Sequence, residues 1–111
     1  MKKKQETMRP VRTLEAVVKA PGERPHVTMI ADTLEAMQSI VGGCIEVVEF
    51  TQENVIICNE EGRLLGLTEN TLGICGTLIV LGRGCGDGEF GDVAAPKDTV
   101  RMLSGKNGYE D

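Results

Sequence analysis

A strongly apolar run, Gly-Thr-Leu-Ile-Val-Leu over 76–81, frames this chain. Such a run, flanked by glycine, is predicted to be a strand at the centre of a sheet. The preceding sequence supplies partners for it. Residues 13–19 (Thr-Leu-Glu-Ala-Val-Val-Lys) are apolar and β-capable, and end at the turn signal Pro21-Gly22. Residues 26–30 form a second short strand, so the two make a hairpin around a polar loop, 21–25. Residues 44–50 and 54–59 read as two further strands. Asn59-Glu60-Glu61-Gly62 is a hairpin turn, and 63–67 is the expected return strand. Residues 68–73 are polar, a loop or a single helical turn.

The clearest helix lies between these strands. Asp32 is placed as its N-cap, with Glu35 three positions on as in a capping box. Leu34, Met37, Ile40 and Val41 share one face, and Gly42-Gly43 stops the helix. A last helical candidate, 97–103, follows Pro96, with Asp98 near its start. The expected fold class is α+β: a small, mostly antiparallel sheet with one short helix packed on a face and a Gly-rich C-terminal loop. The domain is placed at 13–103, between a flexible basic arm (1–12) and a tail (104–111).

At 111 residues the chain can bury a real core without disulfides or metal. Phe50, Phe90 and Tyr109 are its only aromatic residues, so the core must be aliphatic. Scarce aromatics also argue against a stacking platform for single-stranded nucleic acid. A net charge of −5 disfavours direct binding to a phosphate backbone. It suits a basic protein partner, or serves only solubility. Met1-Lys2-Lys3-Lys4 leads into polar sequence rather than an apolar leader core, and no apolar run is long enough to span a membrane. A cytoplasmic protein with reduced thiols is expected.

The segment Gly82-Arg83-Gly84-Cys85-Gly86-Asp87-Gly88 follows a strand as a phosphate-binding turn would. It lacks the Gly-Lys-Ser/Thr signature, and Asp87 and Glu89 put negative charge where phosphate would sit. Cys44, Cys58, Cys75 and Cys85 contain no C-x-x-C pairing, so no zinc site is expected. Cys44 and Cys58 read as core, and Cys85 as the exposed, reactive thiol. His26 stands at a strand start, and nothing in the sequence pairs it with a nucleophile. Glu46 and Glu49, three apart in a strand, face opposite sides and form no carboxylate pair.

Two blocks together carry a resemblance. One is 33–43, Thr-Leu-Glu-Ala-Met-Gln-Ser-Ile-Val-Gly-Gly, running into Ile45-Glu46-Val47-Val48. The other is 57–62, Ile-Cys-Asn-Glu-Glu-Gly, followed by Leu64, Gly66, Leu67 and Asn70. A third stretch runs from Ile74 to Gly82 and ends in Gly88-Glu89-Phe90. On these residues the chain resembles the domain of unknown function numbered 3846 (DUF3846). It departs from that pattern at Thr71, where arginine is common, in a shorter loop before Gly76, and in its glycine-rich run. The resemblance implies a context: accessory proteins of bacteriophages and mobile elements, near or fused to anti-restriction-type domains. It attaches no reaction and no catalytic residues.

The leading expectation is therefore a non-enzymatic phage or mobile-element protein that binds and inhibits a host defence effector, of anti-CRISPR or anti-restriction type. The target would be a nuclease or similar protein. Glu60, Glu61, Asp87 and Glu89 would meet the Arg and Lys side chains that normally hold phosphate. One alternative is a small-ligand (nucleotide) binder using Asn59, Arg63, Asn70 and Arg83. Another is an interaction or oligomerisation module pairing through an edge strand, with a partner or with its own copy as a homo-oligomer. No cofactor, metal, direct nucleic-acid contact or membrane contact is expected.

Overall fold

The computed structural model describes residues 11–84 and 89–104. Strands β1 (Thr13–Lys19) and β2 (His26–Ala31) pair antiparallel without a bulge, from Thr13 opposite Ala31 to Val18 opposite His26. Helix α1 (Leu34–Val41) follows, then β3 (Ile45–Glu49) and β4 (Asn54–Asn59). A single 3-10 turn (Thr71–Gly73) precedes β5 (Leu78–Arg83), β6 (Phe90–Gly91) and helix α2 (Pro96–Ser104). The sheet order is β2-β1-β5-β4-β3, with β6 paired to the end of β5 and neighbouring strands antiparallel. The apolar run expected as a strand at 76–81 thus supplies most of the central strand, which starts two residues later, at Leu78, and continues through Gly82 to Arg83.

Side-chain alternation on β1, β4 and β5 divides the core into two layers. Leu14, Ala16, Val55, Ile57, Ile79 and Leu81 pack with Met37 and Val41 of α1. On the opposite face, Val17, Ile56, Cys58, Leu78 and Val80 pack with Val93 and with Leu103 of α2. Both faces carry a helix, where the sequence had suggested one. The candidate at 97–103 is the second cover, and it starts one residue earlier, at Pro96. Residues buried on both strand faces explain why 76–81 shows no polar alternation.

The start of α1 also differs from expectation. Thr33, not Asp32, is the N-cap, and its Oγ1 accepts from the Ala36 N–H at 3.1 Å. Asp32 instead lies 3.6 Å from the Arg12 guanidinium. The helix ends as predicted, with Gly42 in the left-handed region (φ 86°) donating its N–H to the Gln38 carbonyl. Two glycines at the end of β5 have a packing reason. A Cβ on Gly82 would collide with the Asp92 carbonyl, and one on Gly84 with the Glu89 backbone, where β5 meets the β6 segment. Residues 1–10, which hold most of the expected arm, lie outside the described residues, as do 85–88 and 105–111.

Candidate functional site

The segment between β4 and β5 carries the acidic turn and, among the described residues, the most exposed large apolar side chain. It is built from its anchors upward. Asn59, the last residue of β4, is buried; its Oδ1 accepts from the Glu61 N–H at 2.7 Å, and its Nδ2 donates to the Val41 carbonyl at 3.2 Å. One side chain therefore shapes the turn and caps the end of α1. Gly62 lies against the backbone of Cys75, where any Cβ would overlap the Cys75 carbonyl oxygen.

The expected return strand at 63–67 does not form. The N–H of Leu65 donates to the Glu61 carbonyl (2.8 Å), and that of Leu67 to the Gly62 carbonyl (2.9 Å). Gly66, at φ 72°, lets this segment curl into local turns. Leu64 and Leu65 consequently point outward, at 85% and 57% exposure. Glu60 and Glu61 are exposed on the same turn. Arg63 donates to the Gly73 carbonyl at 2.9 Å, tying the turn to the 3-10 segment. There Leu72 is exposed and holds φ 62°, a left-handed backbone that costs a residue with a Cβ roughly 1–2 kcal/mol.

A buried polar clasp fixes the base of this loop. The Asn70 Nδ2 donates to the carbonyls of Lys19 and Gly76, both at 2.9 Å. Its Oδ1 accepts from Lys19 Nζ at 2.9 Å and from the Thr71 N–H at 2.7 Å. Lys19 is 1% exposed, and its ammonium also donates to the Ala20 carbonyl at 3.3 Å. Asn70 and Lys19 line a cavity of about 360 Å3 with Glu69, Thr71 and Ser104.

The family model described as Domain of unknown function (DUF3846) matches residues 13–103. The chain belongs to this family. The match starts at the first residue of β1 and stops one residue before the end of α2, so the whole DUF3846 sheet and both its helices lie within it. No curated protein and no solved structure matches the chain.

The DUF3846 sheet separates several residues that the sequence had grouped. Glu89 is exposed just before β6, where the start of β4 meets the end of β5 (Asn54 opposite Gly82). Glu60 and Glu61 follow the other end of β4, roughly 20 Å away for a six-residue strand. Asp87 and Cys85 lie outside the described residues. Among the alternative ligand residues, Asn59 and Arg63 border a small cavity of about 190 Å3, and Asn70 borders the larger one. Arg83 sits at the opposite end of the sheet. It pairs with Glu49 and donates to the carbonyls of Thr51 (2.9 Å) and Gln52 (2.8 Å), bracing the β3–β4 connection. The hydrogen bond from Arg83, and then its charge, hold the Glu49 carboxyl below its usual range.

Cysteine placement also corrects the sequence reading. Cys58 is core as expected, but Cys44 is exposed in the turn before β3. Burial, and then the nearby Glu46 charge, push the Cys58 thiol up, so it stays protonated. His26 and Cys44 lie on opposite edges of the sheet, four strand spacings or about 19 Å apart, too far for a nucleophile pair. Among the described residues no three His, Cys, Asp or Glu side chains are grouped to hold a metal. No helix among them is long and apolar enough to cross a membrane. The sequence reading missed Leu64, Leu65, Leu72 and Lys19. Only Lys19 left a signal: a period of two puts it on the face of Val17.

Proposed function

We propose that this DUF3846 protein is a non-enzymatic binding protein whose contact surface is the β4–β5 loop. The observation that carries the reading is one rigid loop presenting two exposed carboxylates, Glu60 and Glu61, beside Leu64 at 85% exposure and Leu65 at 57%. Apolar anchors beside charge are the composition of a protein contact, with the anchors supplying most of the energy and the charges the selectivity. The Asn59, Arg63 and Asn70 hydrogen bonds hold the loop in place before any partner arrives, which lowers the entropy cost of docking. Leu72 fits the same picture: an exposed leucine kept in a strained backbone has a use outside the fold.

Carboxylates on such a loop suit a groove lined with Arg and Lys, the kind that holds nucleic acid. With the phage and mobile-element setting that the family resemblance implies, the proposed target is a host defence effector such as a CRISPR or restriction nuclease, inhibited by occupation of that groove. Glu89 stands too far along the sheet to share one small contact with Glu60 and Glu61.

The test is capture by the tagged full chain from lysates of bacteria carrying CRISPR and restriction systems, with mass spectrometry of the bound proteins. A nuclease retained near stoichiometry by the wild type and lost from Glu60→Lys/Glu61→Lys is the expected result. A partner retained equally by both removes the acidic turn from the account. A second reading, small-ligand binding, draws on the 360 Å3 cavity beside Asn70. Native mass spectrometry of the purified chain would reveal a co-purified small molecule if that reading holds.

A further inference from the structure

β2 is an edge strand, three strands away from β4, which leads into the acidic turn, and among the described residues only β1 pairs with it. Strand edges are normally blunted by charge, proline or a bulge, because a bare edge pairs with any strand it meets. His26-Val27-Thr28-Met29-Ile30-Ala31 contains no Lys, Arg, Asp, Glu or Pro, and its pairing with β1 is unbroken. The opposite edge strand, β3, carries Glu46 and Glu49 in five residues.

The hydrogen-bond phase of β2 follows from one contact. The Asp32 N–H donates to the Arg12 carbonyl at 2.8 Å, so Arg12 and Asp32 form a hydrogen-bonded pair. Such pairs alternate along an antiparallel ladder. Ile30, Thr28 and His26 therefore bond inward to β1, and Val27, Met29 and Ala31 turn their N–H and C=O groups to the open edge. Glu15 gives an independent check. Its N–H and C=O engage Asp92 and Val93, on the side of β1 away from β2, as this phase requires. Val27 and Met29 are also exposed at 42% and 58%, on the sheet face covered by α2, where Met102 is exposed too.

We infer that β2 is a homodimer interface, pairing antiparallel with β2 of a second copy about a two-fold axis through Met29. A two-fold axis normal to the sheet keeps each face continuous, so paired residues must share a face. Centred on Met29, the register sets Val27 against Ala31 of the copy, Met29 against its own equivalent, and Ala31 against Val27. These three pairs use every outward-turned group on the strand, each exchanging two hydrogen bonds. The same register brings His26 opposite Asp32 of the copy at both ends of the seam, so an imidazole faces a carboxylate twice. Self-pairing of β3 would instead gather four glutamates in one seam. A second copy is thus the occupant favoured by the uncharged β2 edge and by the His26–Asp32 pairing at its ends, through a symmetric contact of the commonest kind.

The test is sedimentation equilibrium of the full chain over a concentration series, with circular dichroism to verify each fold. The wild type should be a dimer. Met29→Lys should sediment as a monomer, since two lysines would meet on the axis, and His26→Asp should weaken the dimer by opposing Asp32. Val47→Lys on the β3 edge should leave it intact. Met29→Pro is a second route, because the N–H it removes turns away from β1 toward the proposed seam. A monomeric wild type at every concentration would overturn the inference, and so would a dimer indifferent to both Met29 variants. Charge reversal at Glu60 and Glu61 should leave the dimer unchanged, so this interface and the loop contact fail separately.

Discussion

Replacing Asn70 by alanine removes four hydrogen bonds at once from a side chain that is 9% exposed. Three involve neutral backbone groups, each worth about 1 kcal/mol net, and one joins the Lys19 ammonium, worth roughly 1.5–3 kcal/mol. The gross loss is therefore about 5 kcal/mol. The adjoining cavity of about 360 Å3 is polar and lets water reach some of the groups left behind. The expected net destabilisation is about 3 kcal/mol, a large part of the ~5–15 kcal/mol that holds a small domain folded. Urea unfolding should show a lower midpoint at unchanged slope. Amide exchange should accelerate first at Leu65 and Leu67, whose N–H groups close the turns of the loop. A loss below about 1 kcal/mol, with loop amides as protected as in the wild type, would refute the clasp as the device that orders this loop.

Three further perturbations bear on the same structure. Gly62→Ala forces a Cβ onto the Cys75 carbonyl and should cost about 1–3 kcal/mol in urea unfolding; a neutral result would mean the two segments part without penalty. Leu72→Gly relieves left-handed strain at an exposed position and should stabilise the fold by up to ~1 kcal/mol while weakening partner capture; a clear loss of stability would show that Leu72 packs within the chain. Glu49, whose carboxyl is held low by Arg83, contributes stability above the unfolded carboxylate pKa and loses it as pH falls through the lower folded value. Glu49→Gln should therefore flatten the acid limb of the stability curve, and an acid limb identical to the wild type would contradict the pairing.

The fold was legible where one residue type has one physical outlet. The apolar run at 76–81, flanked by glycine, reads as a buried strand and supplies most of β5, and Gly42 suits the left-handed position in which it ends α1. At the start of α1, Asp32 and Thr33 are both capable caps. The nearby Arg12 engages the carboxylate and leaves the hydroxyl to bond Ala36, a tertiary choice that the local sequence does not contain. The segment 63–67 failed for a related reason. Its strand reading rested on following a hairpin turn, but Asn59 spends its side chain on Glu61 and Val41, and Gly66 lets the chain curl.

The candidate site was legible in part. Glu60 and Glu61 fall on an exposed turn as the sequence suggests, whereas Leu64 and Leu65 were assigned to a strand and gained their role only when that strand dissolved into turns. Grouping Glu89 with the acidic turn required knowledge of sheet order, which a pattern of periods does not supply. Asn70 was singled out as a ligand residue, and its neighbours show a structural duty in the clasp with Lys19.

The most direct test of the central claim is side-by-side binding of the captured partner to the wild type, to Glu60→Lys/Glu61→Lys and to Leu64→Ser, all verified as folded. Affinity should fall at least about tenfold for each variant, the loss expected when a hot-spot contact is removed. Equal affinity for all three proteins would contradict the β4–β5 loop as the binding surface.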